Sequence, residues 1–170
     1  FYNYVNTKLL RVFYPAKDFS YIASTHFQST FPDENVLDGW VHQDDDFMFT
    51  AIVYLNHSDI GTSIFTKKNE FIIPEAAGDI KHNYFKNYES VDRPERIEVE
   101  KVREDVNSQF DESITIKGRY NRMMCFDGNS YHTIQNGTCD EERLILISFI
   151  KDFRLQGEKT VFPIPQMNLL

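Results

Sequence analysis

The chain has 170 residues, of which 41% are hydrophobic, 26% charged and 15% aromatic, with a formal net charge of −8. That is enough for one domain with a real core, and the aromatic content argues against disorder. The acidic balance without a dense Lys/Arg stripe disfavours a nucleic-acid partner, no apolar run reaches the length of a membrane span, and two cysteines, Cys125 and Cys139, are too few for a disulfide scaffold or a four-thiolate zinc site.

Both thiols read as free in a reducing compartment, and no charged-then-apolar signal segment opens the sequence, so a cytoplasmic location is expected. The first residue is Phe1 rather than Met, and a short leader is expected ahead of it. Asn56-His57-Ser58 and Asn136-Gly137-Thr138 match the glycosylation pattern, as chance often allows. Residues 9–14, an apolar and aromatic run stopped by Pro15, read as a strand, and residues 21–27 as a second. His26 lies in the second and reads as a packed or hydrogen-bonded core group. Residues 28–38 carry Pro32, Asp33, Asn35 and Asp38 and read as a loop.

Trp40-Val41-His42-Gln43-Asp44 reads as extended, which turns His42 and Asp44 to one side and Gln43 to the other. Asp45 and Asp46 read as a solvated rim. A calcium or magnesium loop is the competing reading, but EF-hand spacing is absent. Residues 47–56 alternate Thr50, Ile52 and Tyr54 with Phe49, Ala51, Val53 and Leu55. Both faces carry bulk, so this strand is expected to be central and covered on both sides. A turn over 57–61, with His57 facing solvent, leads to a strand at 62–65.

An insert at about 66–111 has helical character. One short helix is expected after Pro74 through Tyr84, with His82 at the surface. Another begins near Asp92 as N-cap, with Pro94 in its first turn and Glu95 three residues after the cap. Val99, Val102, Val106 and Phe110 form its apolar stripe, and Glu98, Lys101, Arg103, Glu104 and Asp105 its solvated face. Its plain role is to cover a sheet; its sharper one is to lid a pocket. Strands follow at 113–117 and 122–126, then an Asp127-Gly128-Asn129 hairpin-type turn with its partner strand at 130–134. A polar loop at 135–142 precedes a buried strand, 143–150, whose only charge is Arg143. The tail, with Pro163 and Pro165, reads as an irregular strap. Many short strands with most of the helix in one insert predict a single domain, 1–170. Its class is mainly β, with a jelly-roll (double-stranded β-helix) core.

His42, Asp44 and the distant His132 would supply two imidazoles and one carboxylate. That set leaves open positions and suits non-heme Fe(II). A 2-oxo acid can fill two of those positions and molecular oxygen a third. If the oxo acid carries a second carboxylate, a fixed cation is needed for it. Arg143 is suited, being always charged and able to grip a carboxylate with two parallel bonds. Tyr54 is a candidate for a further bond to the same carboxylate.

In order and spacing these residues resemble the Fe(II)/2-oxoglutarate-dependent dioxygenase superfamily, above all its prolyl-4-hydroxylase-type branch. His42-Gln43-Asp44 matches the H-x-D of that family, and Tyr54-Leu55-Asn56 the end of its next strand. Gly61-Thr62-Ser63-Ile64-Phe65 is similar to the strand after that. Phe126-Asp127-Gly128-Asn129-Ser130-Tyr131-His132 is similar to the segment leading to the second histidine. Arg143 follows eleven residues on. Residues 40–65 and 122–150 carry the resemblance. The departures are a single Gly61 where the family has a glycine pair, the long helical insert, and a slightly long loop before Arg143.

The resemblance implies that His42, Asp44 and His132 are the iron ligands and the catalytic set, and that Arg143 and Tyr54 hold the far carboxylate of 2-oxoglutarate. It implies hydroxylation of a C–H bond coupled to decarboxylation of 2-oxoglutarate to succinate, with ascorbate as reductant. The presence of Asp44 favours hydroxylation over halogenation. The substrate is left open among a peptidyl proline, another protein side chain, an amino acid and a small metabolite. Three bland alternatives stand beside it: strand histidines making core hydrogen bonds, Arg143 as a surface arginine, and Tyr54 as packing alone. Two other functions do as well: a jelly-roll binding domain that turns nothing over, and a zinc hydrolase with Asp45 or Asp46 as base.

Overall fold

The computed structural model describes residues 1–15, 18–30, 39–44, 46–86, 95–135, 142–156 and 158–159. From the N-terminus its elements are α1 (Tyr2–Phe13), β1 (Phe19–Thr30), β2 (Phe49–Tyr54), β3 (Ser58–Lys67), α2 (Glu75–Lys86) and α3 (Arg96–Asn107). They continue with β4 (Phe110–Gly118), β5 (Met123–Asp127), β6 (Tyr131–Ile134), β7 (Arg143–Leu155) and β8 (Glu158–Lys159). The strands form two antiparallel sheets, one ordered β1-β7-β2-β5 with β8 on β7, the other β4-β3-β6. From β2 onward the chain alternates between them, β2 in the first, β3 and β4 in the second, then β5, β6 and β7 in turn. The result is a mainly β jelly-roll core with two helices inserted between β3 and β4.

β2 lies between β7 and β5, as the bulk on both of its faces requires. Its Phe49 and Ala51 pack with Ile150, Phe153, Leu9 and Leu10 under α1. Its Ile52 and Tyr54 point inward with Ile145, Ile147 and Phe126, and meet Ile64 and Ile116 of the other sheet.

Residues 9–13 are helical, where the sequence suggested a strand. The aromatic run Val12-Phe13-Tyr14 has strand character, but Asn6, Leu9 and Leu10 recur at helical spacing and are the buried side of α1. Asn6 donates to Thr25 Oγ1 at 2.9 Å, pinning the helix to β1. A strand would put Leu10 and Val12 on one face, whereas the helix buries Leu10 completely and leaves Val12 66% exposed. Leu10→Ala is therefore expected to cost about 2–5 kcal/mol in urea unfolding and Val12→Ala under about 0.5 kcal/mol. Equal losses would contradict the helix.

Three further expectations are corrected. β1 continues through Gln28, Ser29 and Thr30, held by the pairs Ser29↔Leu144 and Thr30↔Arg143, where a loop was expected from residue 28. β5 and β6 are not hairpin partners: the Asp127-Gly128-Asn129 turn carries the chain across to the other sheet, where β6 pairs with β3. Arg103 is buried, not on a solvated face, because its spacing from Val99 and Val106 places it on the same stripe. α3 begins at Arg96 with Glu95 at the N-cap. Asp92 and Pro94 lie outside the described residues, as do residues 31–38, Cys139, the 136–138 glycosylation match and the prolines of the tail.

α2 and α3 bring Ala77, Val99 and Val106 against Trp40, Val41 and Phe110, so the insert covers the segment leading into His42. His57 and His82 are exposed, as expected. Asn56 is engaged by the fold: its amide donates to Glu142 O and accepts from Leu144 N–H. Cys125 is free, with its thiol pushed up to about 11 by burial. Among the described residues no helix is long and apolar enough to cross a membrane.

Candidate metal centre

β6 runs beside the segment leading to Asp44. The two join through one reciprocal pair: His42 N–H donates to His132 O at 3.0 Å, and His132 N–H to His42 O at 2.9 Å. Opposed residues of an antiparallel pair project to the same face, so the imidazoles stand together, ring centroids 4.4 Å apart. Asp44, two residues on, joins them. His42 Nε2 is 3.8 Å from Asp44 Oδ1 and His132 Nε2 is 3.6 Å from Asp44 Oδ2. One ligand atom from each of the three side chains lies within 4.8 Å of the others.

The second nitrogen of each ring fixes its orientation. His42 Nδ1–H donates to Trp40 O at 2.7 Å and His132 Nδ1–H to Ser130 O at 2.9 Å. A carbonyl can only accept, so in the neutral rings the proton sits on Nδ1 and both Nε2 lone pairs face the same point. Desolvation, the Lys81 cation and His132 hold His42 down at about 4, leaving it neutral at pH 7. Separations of 3.6 and 3.8 Å are too long for hydrogen bonds among these atoms. Ligands at right angles on an ion with bonds of about 2.1 Å sit roughly 3 Å apart, so contractions of no more than about 2 Å would close this set on a divalent cation. The residues fit a metal.

Asp44 is held from two sides. Its carboxylate accepts from the Thr50 hydroxyl, and its N–H donates to Gly128 O at 2.9 Å. Gly128 permits that contact, since a Cβ there would come within 2.1 Å of Phe47 O. Asp46 is exposed with φ 70° and does not line the cavity. Asp45 lies outside the described residues.

The three side chains open onto a cavity of about 440 Å³ between the sheets, and Arg143 lines the same cavity. Arg143 is 3% exposed. Its Nη2 donates to Thr62 Oγ1 at 3.1 Å, and its guanidinium lies 5.4 Å from the Tyr54 ring centroid. Its Nε has no hydrogen-bond partner and no carboxylate pairs with it among the described residues. Burial lowers its pKa while Tyr54 opposes the shift. A buried guanidinium with no counter-ion among the described residues is costly, and an anion in the cavity would offset that cost. Tyr54 is fully buried behind that wall, and its hydroxyl donates to Thr62 Oγ1 at 2.8 Å. With Arg143 and Tyr54 both donating to it, the Thr62 hydroxyl has its own proton left to give to a ligand in the cavity.

The sequence reading overlooked Thr62, Lys81 and the polar edge of β1. His26 is exposed and lines the cavity with Gln28 and Thr30, rather than packing in the core. The signal for these three was their period of two along one strand. Lys81 reaches the cavity from α2 and carried no such signal.

Two solved structures resemble this chain. One is described as that of prolyl 4-hydroxylases from Phytophthora capsici, 13% identical with a TM-score of 0.46, the match covering 85% of this chain and 38% of that one. The other is described as a novel N-substituted L-amino acid dioxygenase from Burkholderia ambifaria AMMD, 13% identical with a TM-score of 0.45, covering 85% of this chain and 62% of that one. The chain thus spans 38% and 62% of those two lengths. No curated protein matches it. A family model described as a family of unknown function, DUF6445, matches residues 37–138, a stretch that includes His42, Asp44 and His132. That match covers more than half of the sequence, and the chain belongs to the DUF6445 family.

Proposed function

We propose that this protein is an Fe(II)- and 2-oxoglutarate-dependent oxygenase that hydroxylates a C–H bond of a small-molecule or peptide substrate. The observation that carries the reading is the pairing, in one cavity, of a two-histidine, one-carboxylate set with a buried arginine that has no counter-ion among the described residues. His42, Asp44 and His132 would hold the metal, the two rings through Nε2. Bound Fe(II) supplies oxygen activation that couples loss of CO2 from 2-oxoglutarate to hydroxylation. Arg143 would take the far carboxylate of 2-oxoglutarate through its guanidinium edge, helped by the Thr62 hydroxyl, with Tyr54 fixing Thr62 from behind. The cavity volume falls in the ~300–1,000 Å³ range of small-molecule sites.

A zinc hydrolase reading is weaker, because Asp44 is the one carboxylate lining the cavity among the described residues, leaving no second carboxylate as general base. Purified protein given Fe(II), ascorbate, oxygen and 2-oxoglutarate is expected to release succinate, slowly without substrate. No succinate above a metal-free control would favour a jelly-roll domain that binds without turnover.

A further inference from the structure

Besides Arg143, a second cation enters the cavity. Lys81 projects from α2, and its ammonium lies 5.8 Å from the ring centroid of Trp40, on the side of the cavity that holds His42 and Asp44. It is half-buried and, among the described residues, has neither a hydrogen bond nor a carboxylate within ion-pair distance. Lys68 and Lys117 reach carboxylates, Asp111 and Asp59, and Lys8, Lys67 and Lys151 also lie over aromatic rings; among the described lysines Lys81 differs in lining the cavity. An amphipathic lysine normally carries its head out to water. Here the head lies beside an aromatic face that lines the cavity.

Charge balance says what the cavity is made to receive. Its described lining holds two cationic side chains, Lys81 and Arg143, and one carboxylate, Asp44, in a chain whose formal net charge is −8. A divalent metal adds two positive charges and a dianionic co-substrate removes them again. The lining then keeps an excess of one positive charge, and Lys81 is where it resides, since Arg143 is answered by the co-substrate. The remaining space beside the co-substrate suits a small molecule.

We propose that the primary substrate is a small molecule carrying a single carboxylate, and that Lys81 is the residue that binds it. This rests on the oxygenase reading above. Lys81 fixes the substrate by its acid group on the α2 side of the metal centre, with the Trp40 ring flanking the same place. α2 is then a specificity element as well as a cover for the sheet.

The test uses pairs that differ in one charge only: a panel of N-acetyl amino acids and their matching N-acetyl amides. Trp40 is the sole tryptophan, so its fluorescence reports binding beside Lys81 without turnover. Titrations are run on the whole chain without oxygen, with Fe(II) and saturating 2-oxoglutarate. At least one acid is expected to bind tenfold or more tightly than its amide. Lys81→Gln should remove that preference and Lys81→Arg should keep most of it, with thermal melts confirming that both variants fold. No acid preferred over its amide in the wild type, or a preference that survives in Lys81→Gln, overturns the proposal. Succinate release, measured separately on the wild type, separates the two failures. Succinate with no Lys81-dependent preference sinks this inference alone. A Lys81-dependent preference without succinate sinks the oxygenase reading and leaves a carboxylate site.

Discussion

His132→Ala is expected to lower Fe(II) affinity by at least about 100-fold and to abolish succinate formation. Loss of a residue that merely orients a ligand costs roughly 10–100-fold in affinity, and removing a ligand outright costs more. The substitution is informative because the backbone pair between residues 42 and 132 is made by main-chain atoms and survives the truncation. The side chain contributes its ring contacts with Phe126 and His42, centroids 4.5 and 4.4 Å apart, its Nδ1–H bond to Ser130 O and its approach to Asp44. Thermal unfolding would show that the variant folds, and metal binding would be read by anaerobic titration. Equal iron affinity in wild type and variant would remove His132 from the ligand set.

Arg143→Ala is expected to raise the KM for 2-oxoglutarate on the order of 100-fold, with iron binding retained. Two charge-assisted bonds to a carboxylate represent roughly 3 kcal/mol, which converts to that factor. Stability should respond differently. In the protein without co-substrate Arg143 is a buried charge with no counter-ion among the described residues, so its removal relieves a desolvation cost even as it forfeits the Thr62 bond and the Tyr54 contact. The melting temperature is therefore expected to change little while the KM rises steeply. An unchanged KM would place the co-substrate elsewhere.

How much of this was legible in the sequence depended on whether the signal was local. β2 could be read because both alternating faces of residues 47–56 are bulky, and burial on both sides follows. His42, Asp44, His132 and Arg143 could be singled out because the chain sets them at recognisable distances beside turn and strand patterns, and the fold does gather all four at one cavity. α1 was misread because β-propensity in Val12-Phe13-Tyr14 competed with a helical spacing that begins earlier, at Asn6. The turn at Asp127-Gly128-Asn129 was recognised but not its destination, since the residues that reverse a chain do not say to which sheet it returns. Lys81 was invisible for a simpler reason. One lysine on a mixed-polarity helix looks the same whether it meets solvent or a cavity.

The crossing of the chain from sheet to sheet has a consequence for how the molecule acquires its shape. Among the described strands only β7 and β8 are joined by a short reversal; β3 must wait for β4 across two helices, and β1 for β7 across most of the sequence. Few early contacts are available to seed structure, and distant partners must find one another before any sheet is rewarded. Topologies of this kind fold in about milliseconds to seconds rather than microseconds. The reciprocal link between His42 and His132 joins segments of this interleaved wrap, so competence to capture a metal should appear late in refolding, together with closure of the two sheets.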